Sequence, residues 1–352
     1  MVKLTVDGKM VEVPKGSFII DAANAAGVTI PTLCYMELHK EVTGMNASCR
    51  ICCVEVTGRK NLAPACATPV APEMDIKTDT DRVHSARKLM IELMLSDHAQ
   101  DCLTCAKAGG CTLQDLCYQY DVKETGFPGL MNNFPVDESN EFYVRDMNKC
   151  VNCRRCADAC QFFQCTDAID FAGRGFMAHV AVPFEDAVKE SVCVSCGNCV
   201  SVCPVGALKP KMKEKYRTWE VAKTNTTCSY CGVGCSMDLL TKGGKVVGVQ
   251  PANGDANNGL LCVKGKFGYN FINHPDRLKA PLVRKDGKLV EASWEEAYGV
   301  IADKYMAIKA ENGADAFAGL TSARVTNEEN YLFQKMVRTV FGNNNVDHCA
   351  RL

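Results

Sequence analysis

Val2, Leu4 and Val6 alternate with polar neighbours, and Val11 and Val13 resume the alternation after Asp7-Gly8. A period of two on both sides of an Asp-Gly pair predicts a β-hairpin. Ser17 stands where it would cap a helix over 18–26, and Gly27 where that helix would end. These signals make the first 80 residues a small mixed α+β unit. Over 82–96, "RVHSARKLMIELMLS", the period becomes helical, with Val83, Ala86, Leu89, Met90, Leu93 and Met94 sharing a face. The stretch 209–217, "KPKMKEKYR", is basic, contains proline and predicts a solvated connector. Two further helices are expected at about 294–311 and 326–341.

Charge and composition narrow the classes of function. The 352 residues carry 40 basic and 41 acidic side chains, a net charge of −1. That balance argues against nucleic-acid binding driven by phosphate neutralisation. No apolar run approaches the roughly 20 residues of a membrane span. The alternating start, "MVKLTVDGKMVEV", has no signal-peptide core. The expectation is a soluble, cytoplasmic protein with no nucleic-acid partner and no membrane span. The outlier is cysteine, at 23 residues, clustered at C-x2-C spacings. Without an export signal, such thiols read as metal ligands or redox dithiols, with a disulfide scaffold as the alternative.

Four constellations account for most of them. Cys34, Cys49, Cys52 and Cys66 contain one close pair, and four soft thiolates of this kind can hold a [2Fe–2S] cluster. Cys53, beside Cys52, points to the opposite face of an extended chain and reads as structural. His98, Cys102, Cys105 and Cys111 follow the helical stretch; zinc on these four ligands is one reading. Cys150, Cys153, Cys156 and Cys160 repeat as Cys193, Cys196, Cys199 and Cys203, each with C-x2-C-x2-C-x3-C spacing. This is the two-cluster bacterial ferredoxin pattern, in which the last cysteine of each run ligates the other cluster. One [4Fe–4S] is therefore assigned to Cys150, Cys153, Cys156 and Cys203, the other to Cys193, Cys196, Cys199 and Cys160. Pro204 follows the second run, whereas Gln161 follows the first. Cys228, Cys231, Cys235 and Cys262 form the last set, for which a zinc ribbon is an alternative. Cys53, Cys117, Cys165 and Cys349 remain, by default as buried small hydrophobes. Neither a dinucleotide fingerprint nor a P-loop occurs, so nucleotide binding is expected on another subunit.

The flanking residues carry a family resemblance over essentially the whole chain. "CRICCVEV", with Ala47 where the family often has Gly, resembles the ferredoxin-like domain of the complex I cluster-carrying subunit and of iron-only hydrogenases. In those families the His98, Cys102, Cys105 and Cys111 pattern implies a [4Fe–4S] cluster with one histidine and three cysteines. "CSYCGVGCSMDL" and "GLLCVKGKFGYNFINHPDRLKAPLVR" resemble the catalytic subunit of molybdenum- or tungsten-dependent bis-pterin formate dehydrogenases. There the last four cysteines imply a [4Fe–4S] cluster, and Lys264, two places after Cys262, implies the residue that carries electrons between cluster and pterin.

The resemblance implies an α+β multidomain chain. Residues 1–80 would be a β-grasp [2Fe–2S] ferredoxin domain. Residues 81–140 would be a helical domain for the His-ligated [4Fe–4S], and 141–215 a two-[4Fe–4S] ferredoxin domain. Residues 221–277 would be the small [4Fe–4S] domain of a molybdopterin oxidoreductase, and 278–352 the start of its α/β body. The implied activity is formate oxidation to CO2, or the reverse. Electrons would pass from a Mo- or W-bis(pterin guanine dinucleotide), by Lys264 and one [2Fe–2S] and four [4Fe–4S] clusters, to a flavin- or NAD(P)-binding subunit or to a ferredoxin or hydrogenase partner. Two alternatives remain: a non-catalytic electron-transfer module and a complex I-like NADH dehydrogenase subunit. In formate dehydrogenases a stretch similar to "NNNVDHCARL" (343–352) leads to a metal-ligating selenocysteine or cysteine. The expectation is that no residue of this chain ligates Mo or W, the ligand falling just after Leu352. The chain would then be a fragment ended where a selenocysteine codon was read as stop, and inactive alone towards formate. Cys349 as the ligand is the alternative, although it sits off the pattern.

Overall fold

The computed structural model describes residues 1–37 and 46–349. Its first unit is a mixed sheet of five strands, β1 (Val2–Val6), β2 (Lys9–Val13), β3 (Cys53–Val56), β4 (Ala63–Pro64) and β5 (Asp75–Lys77), in the order β2-β1-β5-β3-β4. Asp7 and Gly8 turn the first hairpin, both at positive φ (46° and 77°), as a tight two-residue hairpin turn requires. Helix α1 (Ile19–Ala25) lays Ile19, Ile20, Ala22 and Ala23 onto this sheet. Ser17 is not its cap: the Asp21 carboxylate accepts from the Phe18 amide at 2.9 Å instead.

Helix α2 (Asp81–Leu95) begins at Thr80, whose hydroxyl accepts from the Val83 amide. Its buried stripe is Val83, Arg87, Ile91 and Leu95, while Leu89 and Leu93 are exposed, so the inward face is rotated from the one the apolar pattern indicates. The cause is Arg87, which turns inward to serve three buried acceptors on other segments. Helix α3 (Thr112–Gln119) packs Leu113 and Leu116 against the same core.

Next come β6 (Tyr143–Arg145), α4 (Arg155–Asp158), β7 (Asp170–Ala172), β8 (His179–Ala181), α5 (Asn198–Val202) and β9 (Leu208–Pro210). β6 pairs with β9 and β7 with β8, both antiparallel. One hydrophobic core runs from Leu33 and Ile51 through Ile91 and Leu116 to Ile169 and Val205, so the units before residue 210 are packed as one body. The connector is not free: Leu208–Pro210 is a strand, Lys211 Nζ donates to the Glu138 carbonyl at 2.7 Å, and Arg217 Nη2 to the Leu103 carbonyl at 2.6 Å.

A meander of β10 (Ala222–Thr227), β11 (Ser236–Lys242) and β12 (Lys245–Pro251) leads to the short helix α6 (Val263–Phe267). The hairpin of β13 (Leu282–Lys285) and β14 (Lys288–Glu291) follows, then helix α7 (Trp294–Asn312), capped by Ser293. Strand β15 (Gly319–Thr321), helix α8 (Asn327–Met336) and strand β16 (Val346–His348) close the described chain, β15 and β16 pairing in parallel. This last part has a thin core of Phe317, Val337 and Phe341, and α7 leaves Trp294, Tyr298, Ile301 and Tyr305 open to solvent. Among the described residues no helix is long and apolar enough to cross a membrane.

Candidate metal centres

The two ferredoxin runs build their sites with the same backbone device. Asn152 and Arg154 lie at φ 51° and 69°, and Ser195 and Gly197, their counterparts in the repeat, at 56° and 75°. These left-handed residues curl each C-x2-C-x2-C run around a point, a conformation costly for anything but glycine. In both runs the amide two places after the first cysteine donates to its sulfur at 3.4 Å: Asn152 N to Cys150 Sγ, and Ser195 N to Cys193 Sγ. The runs differ at their ends. After Cys160 the helical chain continues to Phe163 past Gln161, whereas α5 stops at Val202, ahead of Pro204.

Each curl rings a cavity, and the rings cross. Cys150, Cys153, Cys156 and Cys203 line one. Cys160, Cys193, Cys196 and Cys199 line the other. Burial pushes the Cys150 thiol up to about 11 and drives Cys153, Cys156 and Cys199 up as well, with neighbouring cysteines adding to the effect. Thiols so buried are costly to ionise unless a positively charged core lies between them. Space ringed by four cysteine sulfurs, with a backbone amide aimed at the first of each run, fits a thiolate-held iron–sulfur cluster. Among the described residues no group of three or more His, Cys, Asp or Glu side chains closes up as a site for a single metal ion.

Cys34, Cys49, Cys52 and Cys66 are all buried and mutually linked. Hydrogen bonds from Cys49 and Cys66 hold Cys34 down to about 2, and Cys66 holds Cys52 down, while Cys49 and Cys66 are raised in exchange. Ala47 sits at φ 48°, which explains why glycine suits this position. Cys53 is buried beside the set, with its carbonyl accepting from Arg87.

His98 is buried and its Nδ1 finds no hydrogen-bond partner among the described residues. Burial, then the Lys149 cation, holds it below the ordinary imidazole value and so in the neutral, ligand-competent form. An orphaned imidazole nitrogen in a buried place is costly unless something accepts or ligates it. Cys111 is buried, Cys105 half-buried and Cys102 exposed. Gly206 leaves room for this set: a Cβ there would lie 2.7 Å from Cys105 Sγ. Cys228, Cys231, Cys235 and Cys262 come together around Cys235, whose thiol is raised by burial and then by the other three. Lys264 is exposed, two places beyond Cys262. Leu352, after which the Mo or W ligand is expected, lies outside the described residues. Of the remaining cysteines, Cys117 is half-buried, but Cys165 and Cys349 are exposed, so the reading of these as buried hydrophobes does not hold.

A clasp of basic side chains went unread in the sequence. Arg87 donates to the carbonyls of Ile51 (3.0 Å) and Cys53 (2.9 Å), fixing the loop of the first set. Lys149 Nζ meets Asp101 at 2.7 Å beside the His98 set, and Arg217 reaches the Leu103 and Cys105 carbonyls. Arg155 donates to the Leu33 carbonyl at 3.4 Å, with Cys34 on one side and Cys153 and Cys203 on the other. Lys266 is buried against Ser201. The signal that could have found Arg87 is its place one turn from Val83 and Ile91, inside the buried stripe. The spatial order also departs from the chain order. The ring of Cys150, Cys153, Cys156 and Cys203 borders the Cys34 set through Arg155 and the His98 set through the loop 204–206, where Pro204 accepts from Thr112 N.

Family comparisons follow the same succession. Residues 1–81 match a 2Fe-2S iron-sulfur cluster binding domain, 87–125 an NADH-ubiquinone oxidoreductase-G iron-sulfur binding region, and 149–207 a 4Fe-4S dicluster domain. Residues 221–274 match a molybdopterin oxidoreductase Fe4S4 domain and 277–352 a molybdopterin oxidoreductase. The chain is 36% identical over its full length to the NADPH-Fe(3+) oxidoreductase subunit alpha of Geobacter sulfurreducens, covering 40% of that protein. It is 32% identical over 99% of its length to a Staphylococcus aureus protein named as a candidate formate dehydrogenase, covering 39% of it. The chain thus spans about 40% of the length of these relatives. The structure resembles a crystal structure of an NAD+-reducing [NiFe]-hydrogenase in the H2-reduced state, with a TM-score of 0.55 and 26% identity, over 60% of this chain and 87% of that one.

Proposed function

We propose that this chain, which joins iron–sulfur domains to the N-terminal region of a molybdopterin oxidoreductase, is the electron-carrying portion of a formate dehydrogenase catalytic subunit. The observation that carries the electron-transfer reading is the pair of cavities ringed by crossed cysteine quartets. The finer reading, formate as substrate, rests on the motif around Cys228 to Lys264 and on the likeness to the Staphylococcus aureus protein.

When bound, one [2Fe–2S] and four [4Fe–4S] clusters supply one-electron carriage, and a Mo- or W-bis(pterin guanine dinucleotide) supplies the two-electron chemistry of formate and CO2. The protein's part is to hold and orient. The cysteine sets would hold the clusters in place. Asn152 and Ser195 offer amide hydrogen bonds to the sulfurs, which favour the more negative, reduced state. Arg155 spans the join between the Cys34 set and the ring closed by Cys203. Lys264, exposed two places beyond Cys262, would donate towards a pterin in this reading. Arg155 and the 204–206 loop link the ring closed by Cys203 to two neighbouring sets, so in this reading that ring is a junction from which electrons leave towards a flavin- or NAD(P)-binding subunit, or a ferredoxin or hydrogenase partner.

The likeness to the Geobacter protein favours a second reading, a subunit of an NAD(P)-linked oxidoreductase without formate chemistry. Purification of the full-length protein from its native host, with metal and pterin analysis and a formate-dependent dye assay, separates the two. Stoichiometric Mo or W with formate turnover, slowed by Lys264→Ala without loss of iron, supports formate dehydrogenase. Iron without pterin, or pterin without formate turnover, overturns it.

A further inference from the structure

The join between the ferredoxin unit and the Cys262 arm contains a charge that the electron-transfer reading does not use. Lys266 lies on α6, one turn after Cys262, and is only 5% exposed. Few lysines are so deeply buried without a paired charge. Its Nζ donates to Ser201 Oγ on α5, the helix that carries Cys199. Its stem crosses Gly197: a Cβ there would meet Lys266 Cδ and the Phe267 ring at 2.7 Å. Phe267 stacks on Phe142 with ring centres 5.0 Å apart. The buried Asn198 side chain accepts from the Leu261 amide at 3.3 Å, beside Cys262. The lysine is thus pinned from three sides, between Cys196 and Cys199 on one flank and the Cys262 arm on the other. Burial, with the Lys107 cation adding to it, lowers its amine to about 8, and the Cys199 and Cys196 sulfurs work against that fall.

We propose that Lys266 sets the reduction potential of the iron–sulfur site ringed by Cys160, Cys193, Cys196 and Cys199, by holding a buried positive charge at the join with the Cys262 arm. The proposal rests on reading those four cysteines as cluster ligands. Reduction adds one electron and one negative charge within the ring, the electron arriving from the Cys228, Cys231, Cys235 and Cys262 site, and no proton moves. A fixed cation stabilises the added charge in a medium of low effective dielectric. Lys266 is a positioning residue, acting through the field at the ring, and it makes this ring the favoured acceptor of electrons entering from the Cys262 side.

The test is an EPR-monitored redox titration of the reconstituted chain and its variants, with iron analysis of each. Lys266→Met should weaken reduction of one [4Fe–4S] cluster about tenfold, which is about 59 mV for a one-electron couple. Lys266→Arg should stay near wild type, and the other clusters should not move. Lys266→Gln, which keeps a partner for Ser201, is the second neutral variant and should shift in the same direction. A loaded Met or Gln variant that titrates like wild type overturns the role of Lys266 while leaving the cluster reading intact. So does an Arg variant shifted as far as Met, or loss of the cluster in both neutral variants, since either marks the lysine as structural. A wild-type chain lacking a cluster in this ring overturns the cluster reading itself, and the proposal with it.

Discussion

Arg87 Nη2 donates to the carbonyl of Cys53 at 2.9 Å, and its Nε to the carbonyl of Ile51 at 3.0 Å, so one guanidinium from α2 holds the loop that presents Cys49 and Cys52. The Tyr120 hydroxyl accepts a third bond. Bonds to a charged group contribute about 1.5–3 kcal/mol each, and stranded buried carbonyls are costly. Arg87→Met should therefore destabilise the chain by roughly 3 kcal/mol and lower the yield of the [2Fe–2S] signal. Chemical denaturation and EPR of the same preparation check this; unchanged midpoint and signal would mean the clasp does not support the loop.

His98 makes a sharper prediction, because its buried Nδ1 has no partner among the described residues. His98→Ala should remove about four irons per chain, the content of one [4Fe–4S] cluster. His98→Cys should keep them but lower that cluster's potential, since a thiolate adds negative charge. Iron analysis with redox titration reads both effects; full iron in His98→Ala would show that this imidazole is only packing.

Asp137 gives a pH dependence. Its carboxylate accepts from the amides of Ser139 (2.9 Å) and Val188 (3.0 Å) and pairs with Arg145 at 3.2 Å, tying down the chain that leads to Cys193. Burial raises its pKa, but these bonds outweigh burial and leave it below the ordinary value. A depressed folded pKa means stability that is present above the unfolded value, near 3.9, and lost as pH falls through the folded one. Acid titration followed by circular dichroism should show destabilisation below about pH 4, and Asp137→Asn should be less stable at neutral pH with a flatter acid limb. A parallel acid limb in the variant would exclude Asp137 as its source.

Much of this was legible because spacing and sign carry it. The first hairpin follows from an alternating pattern around Asp7-Gly8, and α7 and α8 from their caps at Ser293 and Thr326. The crossed pairing of Cys160 and Cys203 is an expectation drawn from the repeat, and Cys203 lines a cavity with the first run while Cys160 lines one with the second. What stayed hidden depends on partners far apart in sequence. Arg87 rotates the buried face of α2 because its acceptors lie in the loop around 51–53, which no helical period reveals. The stretch 209–217 reads as solvated because its lysines are charged, yet Lys211 and Arg217 donate to carbonyls of distant loops. Lys264 drew notice through its motif, whereas Lys266, two places on, is the buried one. The junction of three cysteine sets around Arg155 and Gly206 could not be read from chain order at all.

The central claim is that the 19 thiols and imidazole His98 of the five sets hold clusters rather than single ions, and iron counting tests it most directly. Anaerobically reconstituted chain should contain about 18 irons, two in one cluster and four in each of four, with matching inorganic sulfide and no stoichiometric zinc. Stoichiometric zinc, or iron well short of that number after full reconstitution, would contradict the account.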